Sequence, residues 1–192
     1  MLPLVEPGPP LTPEQTVRYS RHLMLPEIGD IGQRRLKNAK VLAVGAGGLG
    51  SPSLLYLAAA GVGRLGLVDL DRVEQHNLQR QILYTESDVG HSKCVSACGR
   101  LRALNGSVVL EVHESGLNAG NAIGLFSRYD LILDGSDNFA TRFLVNDASR
   151  MAGKPLVYGS LFQWEGQVTV FNRNRASPCY RCLFPEPPAP GS

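Results

Sequence analysis

The segment Lys40–Asp71 constrains the fold more than any other part of the chain. An apolar run, Val41–Val44, leads into Gly45-Ala46-Gly47-Gly48-Leu49-Gly50. A stretch rich in small residues follows, then a second apolar run, Leu65–Val68, that ends on Asp69. Short, near-continuous apolar runs on either side of a helix suit strands buried on both faces, as parallel sheets require. Glycines at 45, 47 and 50 permit a tight strand-to-helix turn whose backbone approaches a phosphate at the helix N-terminus. Asp69 is placed about 20 residues on, where a ribose hydroxyl would be accepted. Asp71 follows on the same side, as a second ligand or as a solvated loop acid. Alone, the pattern marks a nucleotide fold without choosing the nucleotide.

Beyond Asp71 strands and helices continue to alternate. The spacing predicts helices over 92–104, 121–126 and 139–151, with strands over 108–112, 131–133 and 156–158. A last strand over 166–171 alternates as if one face were solvated, and is expected to join antiparallel. The expected class is α/β, a Rossmann-like doubly wound and mainly parallel sheet. Ahead of it, Thr12 reads as an N-cap, Pro13 as the first helical residue and Gln15 as the partner in a capping box. That helix is expected to carry Arg18 and Arg21 on one face, and a shorter one to run over 31–37. Five of the 13 prolines fall in residues 1–13 and four in 185–192, so both ends read as irregular. Residues 1–38 are therefore expected to form a tail and helical extension, and 39–192 the nucleotide-binding domain.

Composition removes several function classes. A net charge of +2 is too small to make nucleic acid or an anionic membrane the main partner. The longest apolar stretch, around 54–62, is too short to span a bilayer, and Met1–Pro13 lacks the apolar core of a secretory signal. Four cysteines do not make a disulfide scaffold, so a cytoplasmic location is expected. Cys94 and Cys98 lie four apart in a helical pattern. Cys179 and Cys182, in C-x-x-C spacing, are half of a tetrahedral zinc set, plain thiols or a redox pair. As zinc ligands they would need two more from beyond Ser192.

The nucleotide is chosen by residues outside the glycine loop. Asn77-Leu78-Gln79-Arg80-Gln81 places an arginine and polar amides just past the second strand, where a nicotinamide cofactor has no use for them. Arg80 suits phosphate oxygens. Lys93, at the start of a helix, opposes the helix dipole and so suits an anion bound between them. Asp134-Gly135-Ser136-Asp137-Asn138 follows a strand and opens a helix. Asp137 there is either a Mg²⁺ ligand or a helix cap.

Taken together, Arg18-Tyr19-Ser20-Arg21, the loop Gly45–Gly50, Asp69-Leu70-Asp71, Asn77–Gln81, Lys93, Asp134–Asn138, Gly166–Phe171 and Cys179–Cys182 resemble one family. It is the ATP-dependent adenylyltransferases of ThiF, MoeB and MoeZ type, relatives of the ubiquitin-activating enzymes. The resemblance implies adenylylation of the C-terminal Gly-Gly carboxylate of a ubiquitin-like sulfur carrier. It implies a nucleotide site that includes Gly45, Gly47, Gly48, Gly50, Asp69, Asp71 and Asn77, with Asp69 on the ribose. Arg80 and Lys93 are implied as phosphate clamps and Asp137 as the magnesium acid. Arg21 is implied as an arginine offered to the site of a neighbouring subunit, hence a homodimer. The family's crossover loop, second C-x-x-C and further strands are missing from this sequence, which reads as a shortened member. An NAD-dependent oxidoreductase and a non-catalytic carrier-binding scaffold are the alternatives. The first leaves Arg80, Lys93 and Asp137 unused.

Overall fold

The computed structural model describes residues 3–174 and 176–186. The expected irregular end over 187–192 lies outside the described residues. Strands β1 (Lys40–Val44), β2 (Arg64–Val68), β3 (Val109–Val112), β4 (Leu131–Asp134), β5 (Leu156–Phe162) and β6 (Glu165–Phe171) form one sheet in the order β3-β2-β1-β4-β5-β6. All pairs are parallel except β5–β6, an antiparallel hairpin. This is the Rossmann-like doubly wound arrangement, with the strand order reversing beside β1.

Three helices precede the sheet, α1 (Pro13–Arg18), α2 (Ser20–Leu23) and α3 (Gly29–Asn38). Five more are interleaved with or follow the strands: α4 (Gly50–Ala59), α5 (Lys93–Leu104), α6 (Ala122–Ser127), α7 (Phe139–Met151) and α8 (Tyr180–Leu183). The helices divide between the two faces, which accounts for the continuous burial along β1 and β2. On one face Val41, Ala43, Leu65 and Leu67 pack with Leu54 and Ala58 of α4 and with Ala97 and Leu101 of α5. Cys94 and Cys98 of α5 join them, so their spacing of four serves the core; burial pushes the Cys94 thiol up to about 12, with the Asp69 charge adding to it. On the other face Leu42, Val44 and Ile132 pack with Phe126, Tyr129, Phe143, Val145 and Tyr180. Each large apolar side chain buried here contributes roughly 1.5–3 kcal/mol.

The N-terminal extension departs from the pattern. The capping box forms as expected, with Thr12 accepting from the Gln15 N–H. The helix then breaks at Tyr19, so Arg18 and Arg21 share no continuous helical face. Tyr19 is the cause: its ring rests on Gly61, and its hydroxyl accepts from Asn105 Nδ2 at 2.8 Å. Gly61 precedes β2 and Asn105 precedes β3, so α2 lies at the entry ends of the strands. β5 also runs four residues past its expected end, because Gly159–Phe162 pair fully with Glu165–Val168.

Candidate nucleotide site

Where the strand order reverses, the exit ends of β1, β2 and β4 open into a cleft of about 570 Å³. Its floor is the loop after β1. Gly45 has φ +91°, and a Cβ there would also approach Gly135 O to 2.8 Å. A methyl group on Gly50 would overlap the Gly45 carbonyl oxygen. These two glycines are required by the fold. Gly47 and Gly48 are different: a Cβ on either would meet only side chains at van der Waals distance, Gln81 at 3.5 Å or Arg80 at 3.8 Å. Their bareness leaves the floor open. The N–H groups of Gly47, Gly48 and Leu49 donate to nothing among the described residues, and no side chain caps α4. Free N–H groups at a helix start form a ready anion site.

The loop is tied down from below. Ala46 N–H donates to Asp69 Oδ2 at 2.8 Å, and Asp71 N–H donates to Asp69 Oδ1 at 2.8 Å. Asp69 thus fixes the loop and keeps a second lone pair on each oxygen. The Tyr84 hydroxyl donates to Ala46 O at 2.8 Å, and burial raises its pKa, so it stays a donor.

Cations line the β2 flank. Arg80 is anchored by its Nη1 donating to His76 O at 3.1 Å. Lys93 follows the N-cap Ser92, and its Nζ reaches Asp71 Oδ2 at 2.8 Å. The lysine side chain is 6% exposed and the aspartate 70%, so the ammonium is held from the cleft rim. The anion that balances Lys93 is Asp71 itself, which sequence spacing had left open. Gln81, buried with Oε1 unpartnered among the described residues, lines the same flank. Asn77 does not line the cleft; it is buried in the preceding turn, where its Oδ1 accepts from the Glu74 N–H.

One acid lines the β4 flank and a second is buried behind it. Asp137 lies in the cleft wall ahead of α7, and the helix is capped instead by Asn138, whose Oδ1 accepts from Thr141 N–H at 2.9 Å. Asp134 is buried at the end of β4, with Oδ1 accepting from Ser136 N and Oγ and with Oδ2 unpartnered among the described residues. Burial raises its carboxyl, against the lowering pull of Ser136 and Arg142. A carboxyl raised on folding stabilises the chain below the ordinary carboxylate range, and that contribution is lost as pH climbs through the raised value. Asp134→Asn should therefore be more stable than wild type at neutral pH, with the gap closing in acid, as read by urea denaturation at both. Arg142 also lines this flank, and sequence reading missed it. The helical period placed α7 but did not say which of its polar residues meets the cleft.

Two sets of predicted residues lie elsewhere. Arg21 is on α2 at the far end of the strands, where its Nη1 lies 4.0 Å from Met24 Sδ. Cys179 and Cys182 flank the start of α8, their sulfurs 3.7 Å apart. Among the described residues no group of three or more His, Cys, Asp or Glu could hold a metal ion. None of the described helices is long and apolar enough to cross a membrane.

Comparison with known proteins places this cleft in a family. The model of the ThiF family matches residues 19–192. The chain is 55% identical over 192 residues to the "probable adenylyltransferase/sulfurtransferase MoeZ" of Mycobacterium tuberculosis, covering 98% of this chain and 49% of that protein. It is 54% identical over 185 residues to the "sulfur carrier protein adenylyltransferase" of Thermus thermophilus, covering 94% and 68%. Among solved structures it is similar to PaaA, with a TM-score of 0.78 and 25% identity over 88% of this chain and 55% of that one. It is also similar to Escherichia coli MccB with ATP, with a TM-score of 0.72 and 28% identity over 86% and 50%. The chain thus spans about half the length of MoeZ and of MccB. A matched family model over most of the chain, and close relatives at more than half identity, establish that it belongs to the ThiF family.

Proposed function

We propose that this chain binds ATP and adenylylates the C-terminal carboxylate of a ubiquitin-like sulfur carrier ending in Gly-Gly. The observation that carries the reading is the phosphate cradle: three free N–H groups on a bare glycine floor, flanked by Arg80 and Lys93. A nicotinamide dinucleotide needs the floor and Asp69 but not two further cations. In this reading Asp69 takes the ribose with its spare lone pairs, and Asp71 positions Lys93 at the cleft. The acceptor carboxylate is already a nucleophile. Its oxygen bonds to the α-phosphorus, the bond to the bridging oxygen breaks, and pyrophosphate leaves, with no proton to move. The protein's task is placement and neutralisation of charge on the leaving phosphates, which Arg80 and Lys93 supply.

Magnesium fits the residues present. Mg²⁺ takes one or two carboxylates and completes its shell with water and phosphate oxygens. Asp137 in the cleft wall supplies such a carboxylate. When bound, the ion would screen phosphate charge. Zinc is less well served: Cys179 and Cys182 offer two thiols, and a closed tetrahedral site needs two more ligands. The buried free thiols suit a reducing cytoplasm.

A homodimer completes the proposal, because Arg21 is distant from the cleft of its own chain. An apolar groove of about 800 Å³, walled by Leu4, Val5, Leu36, Tyr56, Leu131 and Val157, leaves the β4–β5 face of the sheet uncovered. A second copy seated there would cover that face. Arg21→Ala should lower carrier-dependent pyrophosphate exchange at least about tenfold, with an unchanged circular dichroism melt; wild-type rates would remove its role.

The whole reading is tested by calorimetry with ATP or NAD in the presence of Mg²⁺, followed by carrier-dependent pyrophosphate exchange. Saturable ATP binding and exchange are expected. NAD binding without an ATP signal would overturn the nucleotide, and ATP binding without exchange would leave a scaffold.

A further inference from the structure

The cleft carries a third cation on the flank away from Arg80 and Lys93. Arg142 lies in the first turns of α7 and faces the cleft beside Thr141 and Leu161. Its guanidinium is held firmly. Nε and Nη2 donate to Ser136 O at 3.4 and 3.3 Å, and the group lies over the rings of Phe139 and Tyr158, at 5.5 and 5.6 Å from their centroids. It also interacts with the Tyr180 hydroxyl. Among the described residues no carboxylate comes within ion-pair distance of it. A part-buried arginine, immobilised by rings and a carbonyl, near enough to Asp134 to feel its charge but with no carboxylate in direct contact among the described residues, retains donors for an incoming anion.

We infer that Arg142 receives the carboxylate of the acceptor. The inference rests on the adenylylation reading and names the residue that orients the nucleophile. Strand order assigns the flank. Asp69 follows β2, the glycine floor follows β1, and Arg142 follows β4 beside β5, so ribose, phosphates and the Arg142 flank lie in sequence across the sheet. Arg80 and Lys93 stand on the ribose side of the phosphates. The approach to the α-phosphorus that they leave is over β4 and β5, where Asp137 and Arg142 both stand. A carboxylate arriving there meets a polyphosphate of its own sign, and a cation on that flank offsets the repulsion. The planar fork of arginine matches a carboxylate with two parallel hydrogen bonds, which also sets the angle of attack.

The test compares a β-grasp carrier ending in Gly-Gly with the same carrier bearing a C-terminal amide, each titrated into the full chain loaded with a non-hydrolysable ATP analogue and Mg²⁺. Wild type should prefer the free carboxylate by about tenfold or more, the worth of a charged hydrogen bond. Arg142→Ala should bring that ratio close to one and leave affinity for the ATP analogue within about twofold. If the alanine variant does not fold, Arg142→Lys carries the same test: it keeps the charge, loses the fork, and should cut the preference to less than about half of the wild-type ratio. A preference retained in the variants, or absent from wild type, overturns the assignment. Loss of nucleotide affinity with the preference intact moves Arg142 to the phosphates and overturns it equally. Failure of the wild-type chain to support carrier-dependent pyrophosphate exchange strikes the adenylylation reading instead, so the two failures are separate.

Discussion

Lys93→Ala is expected to lower carrier-dependent pyrophosphate exchange by about 10²–10³-fold, the usual cost of removing one preorganised charge from a reacting centre. The size follows from how the ammonium is held. Lys93 is nearly buried, its backbone N–H donates to Asp71 O at 3.0 Å, and its Nζ meets Asp71 Oδ2 at 2.8 Å. It is therefore fixed before nucleotide arrives, and little is lost in ordering it. Stability should fall much less than activity. The ion pair itself has an exposed partner and contributes about 1 kcal/mol or less, and the stem adds a comparable packing loss. Exchange assayed beside a thermal melt separates the two effects. A variant that loses tenfold or less would show that Arg80 and the loop N–H groups carry the phosphate charge without it.

Asp71→Asn provides the complementary measurement. An amide cannot fix the ammonium as strongly, so exchange should fall by a smaller factor, about tenfold, with nucleotide still bound. The pair of variants distinguishes a lysine that acts from an aspartate that aims it.

The sheet and its glycine turn were legible from local pattern alone. Strands buried on both faces leave runs such as Val41–Val44 and Leu65–Val68, and a strand-to-helix turn leaves Gly45 and Gly50. What escaped sequence reading depended on distant residues. The break at Tyr19 is made by Gly61 and Asn105, which no local period includes. The length of β5 beyond Tyr158 follows from pairing with β6, a partner that no local pattern includes. At the site, Arg80, Lys93 and Asp137 stand out because they are charges beside strand ends. Asn77 shares the segment of Arg80 yet turns inward to hold its own loop, and backbone turn chemistry decides that. Arg142 was hidden by the opposite difficulty. It is one of several polar residues on a helix with a sound apolar face, and only the rings of Phe139 and Tyr158 show where it is held.

Gly50→Ala and Gly48→Ala should give opposite results from the same added methyl group. On Gly50 the Cβ would overlap the carbonyl oxygen of Gly45, a backbone atom that no side-chain rotation can move. Gly45 is itself fixed by its positive φ, by its N–H donating to Val68 O at 2.8 Å and by the approach of Gly135. Strand, turn and helix would have to shift together, at a cost of about 3 kcal/mol or more, a large fraction of a domain's net stability. On Gly48 the nearest atom is Arg80 Cδ at 3.8 Å, an ordinary contact, so the melt should change by less than about 0.5 kcal/mol equivalent. The methyl group would instead stand in the open floor beside the free N–H groups. ATP affinity should drop at least about tenfold, because phosphate oxygens can no longer reach those donors at hydrogen-bond distance. Urea denaturation and ATP calorimetry on both variants decide the matter. Equal losses of stability would mean that all the loop's glycines serve the turn. A folded Gly48→Ala chain with wild-type ATP affinity would mean that the phosphates lie elsewhere than on this floor.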